Sequence, residues 1–339
     1  MWTFTFRRLL LLIPTLIGIT LITFAVTRSI PTDPVAATIG EQAAEHPEIV
    51  ADYRAKWGLD EPLPVQYLTY LRNLVRGDFG DSLYTHRPGA ADLADYLPAT
   101  IELATVAIII SILISLPLGV LAARFRGGPF DGLVRTVTTI GVSMPIFWLA
   151  LVAINIFYFH LHLVPGQGRL DSGLAPPPTV TGLYTIDGLI AGDFGLVANA
   201  LYHLALPAFV LATWSIGLIT RVTRASMLAV LGQDFLRTAR SKGAREPYVL
   251  VHHAVENAIL PVITVMGLAF GDLLAGSVMT ETIFGWPGIG RYAYSAASHA
   301  DFPAVMGVTL VVAISYTIVN LAVDLAYALI DPRIRAAMS

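Results

Sequence analysis

Apolar residues are gathered in long runs along the chain. Six runs are free of charged side chains except for His203 and Asp272, and they cover residues 9–27, 103–123, 136–159, 194–220, 257–280 and 302–323. Each has about the 20 residues that a helix needs to cross a bilayer. Bundled helices also satisfy their own backbone hydrogen bonds, which lipid requires. The pattern predicts an all-α polytopic membrane protein with six transmembrane helices.

The first run also resembles a secretory signal, because Arg7 and Arg8 precede it. A signal peptide has a shorter apolar region of about 7–15 residues and ends at a small-residue cleavage site. Residues 9–27 form a longer run, and no such site follows at residues 27–31. We therefore expect this run to stay in the protein as the first transmembrane helix.

The composition agrees with a membrane protein and excludes several other classes. Of the 339 residues, 55% are hydrophobic and only 13% are charged, the net charge is −3, and there is no cysteine. Soluble domains carry about 25% charged residues. A disordered chain, a basic nucleic-acid-binding protein and a disulfide-stabilised domain are all excluded by these values.

The basic residues are distributed unevenly between the two sides of the predicted bundle. If both termini are cytoplasmic, 13 of the 21 Lys and Arg residues lie in the inner segments. They are Arg7, Arg8, Arg124, Arg126, Arg135, Arg221, Arg224, Arg237, Arg240, Lys242, Arg245, Arg333 and Arg335. This excess, concentrated in the shorter connections, predicts cytoplasmic N- and C-termini.

The connections divide the chain into four parts. Residues 1–30 contain the N-terminus and first helix, residues 31–97 form a net-acidic extracytoplasmic segment with helical pieces near 48–57 and 65–75, residues 98–330 form a five-helix core, and residues 331–339 are a cytoplasmic tail. Within the core, the outer loop 161–193 is rich in Gly and Pro, and the cytoplasmic loop 221–258 is the longest and most polar on its side.

The sequence offers no catalytic or metal-binding constellation. It contains no phosphate-binding loop of the type G-x-x-x-x-G-K-[ST] and no H-E-x-x-H. The neighbouring pairs His160 with His162 and His252 with His253 have spacings that do not place both rings on one helix face. We therefore predict a non-catalytic protein that binds no metal and no cofactor of its own.

The most informative segment is the basic stretch 233–243 in the long cytoplasmic loop. Its pattern predicts a short surface helix that ends at a glycine. The candidate residues are Asp234, Arg237, Thr238, Ala239, Arg240, Ser241, Lys242 and Gly243. The basic side chains would face either a groove on another protein or lipid headgroups, and an ordinary basic loop attracted to anionic lipid remains the alternative.

This segment resembles the EAA loop of ATP-binding-cassette (ABC) importer permeases. It departs from the usual pattern at two points. Arg237 stands where the motif has its leading Glu, and the spacing from Gly243 to Pro261 is longer than usual. Both departures are similar to what the peptide-permease branch shows. Further segments similar to that branch, and most of all to the first membrane subunit of dipeptide transporters, cover nearly the whole chain. They include residues 7–10, 14–15, 33–34, 58–63, 77–80, 98–100, 143–148, 281–288 and 331–335.

The resemblance implies a fold, partners and a location. It implies a six-helix type I importer core in the bacterial inner membrane, paired with a second homologous permease around a central pathway. Two separate ATPase subunits would hold ATP and Mg²⁺ and act through the loop, while an extracytoplasmic binding protein delivers the substrate. Lipid surrounds the chain and no nucleic acid is involved. Dipeptides or short peptides are the expected substrates; nickel chelates, glutathione and longer oligopeptides are alternatives within the family.

Two acidic residues are candidates for the pathway. Asp272 lies within the fifth run, where a charge is costly and needs a partner or a wet cavity. Two hypotheses follow: Asp272 lines the pathway, or it makes a protonated or hydrogen-bonded contact with another helix. Glu281, at the outer end, is a gate candidate by the resemblance, or an interfacial carboxylate. A proton-driven secondary transporter that uses both acids is the alternative function, whereas a membrane enzyme would need catalytic residues that the sequence lacks.

Small residues recur at intervals of four in the same run. Gly267, Gly271 and Ala275 share one helix face and predict close helix packing there, which includes packing against the second permease as one option.

Overall fold

A computed structural model describes residues 2–29, 47–82 and 84–330, and this part of the chain contains helices and no strand beyond one isolated bridge. The predicted tail 331–339 and the start of the segment 31–97 lie outside it. The helices are α1 (Trp2–Ser29), α2 (Pro47–Trp57), α3 (Leu63–Val75), α4 (Gly89–Arg124), α5 (Pro129–Ser143), α6 (Ile146–His160), α7 (Tyr184–Ile190), α8 (Phe194–Leu231), α9 (Asp234–Ser241), α10 (Glu246–Ala275), α11 (Val278–Ile283), α12 (Ile289–Ser298) and α13 (Phe302–Ile330). The predicted all-α membrane fold is confirmed.

Five helices are long and apolar enough to cross a membrane. They are Leu10–Ser29 within α1, then α4, α8, α10 and Phe302–Val323 within α13. The predicted third span is not one straight helix: α5 and α6 meet at an angle of 104°, and the pair counts as a sixth span if it crosses the membrane as one unit. Met144 and Pro145 both have extended backbone at this break, because proline lacks an N–H and disfavours helical geometry in the residue before it.

The core of the bundle is built around α8. This helix packs against α4, α5 and α10, while α13 packs against α10 and α1. Leu103, Leu204, Ile219, Val262 and Trp286 are almost fully buried in one cluster among these helices. α4 begins at Gly89, so the last nine residues assigned to the outer segment 31–97 are the first turns of this helix.

The small-residue face of α10 packs within the same chain. A Cβ atom at Gly267 would lie 1.9 Å from a methyl carbon of Val323, and one at Gly271 would lie 2.6 Å from the ring of Tyr316. Both glycines therefore permit the close approach of α13. Ala275 is exposed and does not take part, because a four-residue spacing drifts around a helix of 3.6 residues per turn and α10 ends at this residue.

Candidate functional site

The two ends of the bundle carry different chemistry. We call the end that contains Arg124, Arg224 and α9 the basic end, and the end that contains Thr100, Arg169 and Trp286 the opposite end.

α9 is fixed to the basic end by one apolar side chain. Leu236 is fully buried in a cluster with Ala123 of α4, Met227 of α8 and Val249 of α10, and Ala239 is partly buried beside it. The predicted short helix therefore inserts one side chain into a cluster to which three membrane-spanning helices contribute.

The other face of α9 is open and polar. Its exposed residues are Asp234, Phe235, Arg237, Thr238, Arg240, Ser241 and Lys242. Asp234 and Arg237 form a 3.5 Å pair at the surface, where such pairs contribute little to stability. Within the described residues, the ammonium group of Lys242 has no ion-pair partner. This face is therefore available to another molecule.

Arg240 does not project freely, which differs from the expectation for this residue. Its Nε and a terminal guanidinium nitrogen each donate a 3.1 Å hydrogen bond to Glu246, and this bonding raises the pKa of Arg240 above its ordinary value. Arg124 lies 3.6 Å from the same carboxylate. Arg240 thereby ties the last turn of α9 to the start of α10.

Gly243 ends α9 in a defined geometry. Lys242 is the C-cap and Gly243 follows with φ +82°. The Gly243 N–H donates to the Arg240 carbonyl at 3.0 Å, and the Ala244 N–H donates to the Ala239 carbonyl at 3.2 Å. These two bonds form a Schellman motif, which favours glycine at the left-handed position.

Asp272 lies on a face of α10 that the chain itself leaves uncovered. It is one turn from the end of the helix and is exposed, as are Asn257, Pro261 and Leu268 along the same side. In the part of the chain that the structure describes, the Asp272 carboxylate has no hydrogen-bond or ion-pair partner. A carboxylate at membrane depth needs a partner or water, so this face requires a contact or a wet cavity outside the single chain.

Glu281 lies at the opposite end and is completely buried inside the protein. One carboxylate oxygen accepts hydrogen bonds from the hydroxyls of Thr100 at 2.7 Å and Ser277 at 2.6 Å. The other accepts the Arg291 backbone N–H at 2.9 Å. In this conformation Glu281 joins α11 to α4 and α12. Its proposed role as a gate stays a prediction.

The neighbouring tryptophan strengthens this connection. Trp286 is almost fully buried, and its indole N–H donates a 2.8 Å hydrogen bond to the Ala99 carbonyl. Glu281 and Trp286 thus hold the segment between α11 and α12 against consecutive residues of α4.

An ion pair that the sequence analysis missed fixes the loop 161–193. Arg169 and Glu102 are both buried and lie 2.6 Å apart. Glu102 also accepts the Thr185 N–H and hydroxyl at 2.8 and 2.7 Å, while the guanidinium lies 3.5 Å from the ring centroid of Tyr184. A signal was present, since Arg169 is the only Lys or Arg in the loop and Glu102 directly precedes an apolar run.

Two further carboxylates order the same loop. Burial would raise the pKa of Asp187, but hydrogen bonds from Thr181, Val180 and Gly182 outweigh it and lower that pKa. Asp171 accepts hydrogen bonds from His203 and Asn199, and these bonds also lower its pKa below the ordinary value. The loop is therefore a folded structure attached to α4 and α8.

Comparison with known proteins identifies the class of this multi-pass membrane protein. The family described as "Binding-protein-dependent transport system inner membrane component" matches residues 115–336, and the N-terminal part of such components matches residues 1–104. The chain belongs to this family. It is a permease subunit of an ABC transporter in the inner membrane, so the predicted resemblance is confirmed.

Individual relatives match over almost their whole length. The probable D,D-dipeptide transport system permease protein DdpB of Escherichia coli K12 is 45% identical over 98% of this chain and 97% of its own. The dipeptide transport system permease protein DppB of Alkalihalophilus pseudofirmus is 44% identical over 99% of this chain and 100% of its own. A di/tripeptide permease protein of Pseudomonas aeruginosa is 45% identical over 99% of both chains.

Proposed function

We propose that this chain is the permease subunit of an ATP-driven importer of dipeptides and other short peptides. The names of the full-length relatives support this substrate class. A second homologous permease would supply the other half of the pathway, two ATPase subunits would bind ATP and Mg²⁺, and an extracytoplasmic protein would deliver the peptide. The basic end would face the cytoplasm together with both termini, in agreement with the positive-inside rule.

The observation that carries the coupling role is the attachment of α9. Leu236 is buried in one cluster with side chains from three membrane-spanning helices, while the face with Arg237 and Lys242 remains open. A movement imposed on this face by an ATPase would therefore pass to α4, α8 and α10 together. The bonds of Arg240 to Glu246 add a second connection to α10.

Asp272 supports a pathway along the uncovered face of α10. Its unpartnered carboxylate would face the second permease across the pathway, where it could bind the ammonium group of a peptide. Replacing Asp272 by Asn keeps the size of the side chain and removes the charge. We expect weaker peptide transport by a complex that still assembles; unchanged affinity and rate would contradict the role.

Reconstitution of the complete importer tests the substrate. Proteoliposomes that contain both permeases, the ATPases and the binding protein should take up a labelled dipeptide only when ATP is present. Competition by tripeptides, longer peptides, glutathione and nickel chelates then ranks the alternatives. Uptake by this chain alone on a proton gradient without ATP would instead support a secondary transporter.

A charge reversal on α9 tests the coupling surface. The double variant Arg237→Glu and Lys242→Glu should lower both ATPase binding and transport, while the bundle stays folded because neither residue is part of the buried cluster. Arg126→Glu reverses another exposed charge at the basic end outside α9. If this control lowers ATPase binding equally, general electrostatic attraction explains the effect and α9 is not the specific contact.

A further inference from the structure

α3 contacts α1 near the middle of its membrane-spanning part, far from the end at Ser29. The Tyr67 hydroxyl donates a 3.0 Å hydrogen bond to the Ile17 carbonyl and lies 2.9 Å from the Thr20 hydroxyl. The rings of Tyr67 and Tyr70 also lie 5.4 and 6.1 Å from that of Phe24. The sequence analysis places α3 in the extracytoplasmic segment 31–97, whereas these contacts are with the membrane-spanning part of α1.

The position of the contact can be measured along α1. The apolar span Leu10–Ser29 has 20 residues, which at 1.5 Å per residue matches the roughly 30 Å of hydrocarbon. Ile17 is 12 residues from Ser29, and Thr20 is nine, so they lie about 18 and 14 Å below its end. A tyrosine side chain is shorter than either distance. The backbone of α3 therefore also lies below the end of the span.

The two faces of α3 differ in the manner of an interfacial helix. On the inner face Gln66 and Tyr70 are buried, and the Gln66 amide donates to the carbonyls of Leu59 and Glu61 at 3.0 and 2.8 Å. On the outer face Leu68 is 64% exposed, and at the start of the helix Leu63 is 58% exposed. The Gln66 amide nitrogen is thus bonded inside the protein, whereas its Oε1 and the Tyr70 hydroxyl have no hydrogen-bond partner among the described residues. Large apolar side chains on the other face point away from the protein.

This outer face continues the exposed surface of α1. A groove of about 610 Å³ runs between the two helices, and both Leu21 of α1 and Leu68 of α3 line it. Ile22 on α1 is 66% exposed, as expected for a residue of a membrane-spanning helix that faces lipid. The leucines of α3 therefore share one surface with exposed apolar residues of a candidate membrane-spanning helix.

We infer that α3 is a membrane-embedded interfacial helix whose exposed leucines contact the acyl chains of the leaflet at the opposite end of the bundle. Its depth, its exposed leucines and its continuity with α1 all support lipid as the occupant. Arg72 and Arg76, exposed near its end, would extend towards lipid phosphates, as basic residues of such helices do. α3 thereby anchors the segment between the first two spans to the membrane surface.

Single-cysteine spin labelling tests this placement, because the natural chain contains no cysteine. Leu68→Cys reports on α3, Ile22→Cys is the lipid-exposed control, and Ser172→Cys is the control in an exposed loop at the same end. Each variant is assembled into the complete transporter in nanodiscs. Collisions with oxygen, which concentrates in lipid, and with a water-soluble nickel chelate are then measured.

The inference predicts that the label at position 68 behaves as the label at position 22. The ratio of its oxygen accessibility to its nickel accessibility should be severalfold higher than the same ratio at position 172. High nickel accessibility would place α3 in water and overturn the inference. Protection from both reagents would show that a protein partner covers the face, which overturns it as well. Neither measurement depends on which substrate is transported.

Discussion

The Thr100 hydroxyl donates a 2.7 Å hydrogen bond to the Glu281 carboxylate and joins two residues that are 181 positions apart. The same hydroxyl oxygen accepts the Ile289 backbone N–H at 2.8 Å. One side chain of α4 therefore satisfies groups from α11 and α12. Since Glu281 is fully buried, the loss of any donor leaves part of its charge without compensation.

Thr100→Val should destabilise the protein. The substitution keeps the shape of the side chain but removes a donor to Glu281 and an acceptor for Ile289, and buried groups left without partners cost about 1–3 kcal/mol each. We expect a lower midpoint of thermal unfolding in detergent. Thr309→Val is the control, because among the described residues its hydroxyl bonds only to the Val305 carbonyl of its own helix. Equal effects of both variants would contradict a special role for the Thr100 contact.

Gly288→Ala should disturb the same network through steric contact. A Cβ atom there would lie 2.5 Å from the Glu281 carboxylate and 2.5 Å from the Thr100 hydroxyl. Overpacking of this kind costs about 1–3 kcal/mol, so we expect lower thermal stability than in the natural chain. Gly132→Ala provides the comparison, since a Cβ at that helical position meets nothing within 4 Å and alanine favours the helix. A stable Gly288→Ala variant would show that the network can move apart.

The sequence was sufficient to locate the long apolar helices because hydropathy is a local property. It did not predict the bend at Pro145, since Pro117, Pro207 and Pro261 lie inside helices that continue through them. Whether a proline bends a span depends on the packing around it, which neighbouring residues along the chain do not reveal.

The candidate site shows the same division between local and long-range information. The short helix with Gly243 at its end followed from local pattern, whereas the partners of Glu281 and Glu102 come from distant segments. Arg240 has the same charge as Arg237 and Lys242, and only the folded loop directs it to Glu246. Residue type identified these groups as candidates, but tertiary contacts decide which of them remain free.

Gly243→Ala should weaken coupling more than it weakens the bundle. The left-handed backbone at φ +82° costs a residue with a Cβ about 1–2 kcal/mol, and no side-chain clash adds to this because nothing lies within 4 Å. We expect the end of α9 to fray and ATPase binding to fall. Gly192→Ala is a matched control at the opposite end, with φ +71° and open surroundings. Similar losses of ATPase binding in both variants would contradict a local effect on α9.

The buried pair of Glu102 and Arg169 should show strong energetic coupling. Glu102→Gln or Arg169→Met alone leaves one buried charge without its partner, which costs about 3–5 kcal/mol. The double variant should therefore be less destabilised than the sum of the two single variants, as measured by thermal unfolding and by protease cleavage within residues 161–193. The exposed pair of Arg54 and Asp60, 2.9 Å apart, serves as the control, because surface pairs couple weakly. Additive effects at the buried pair would show that the loop stays attached without it.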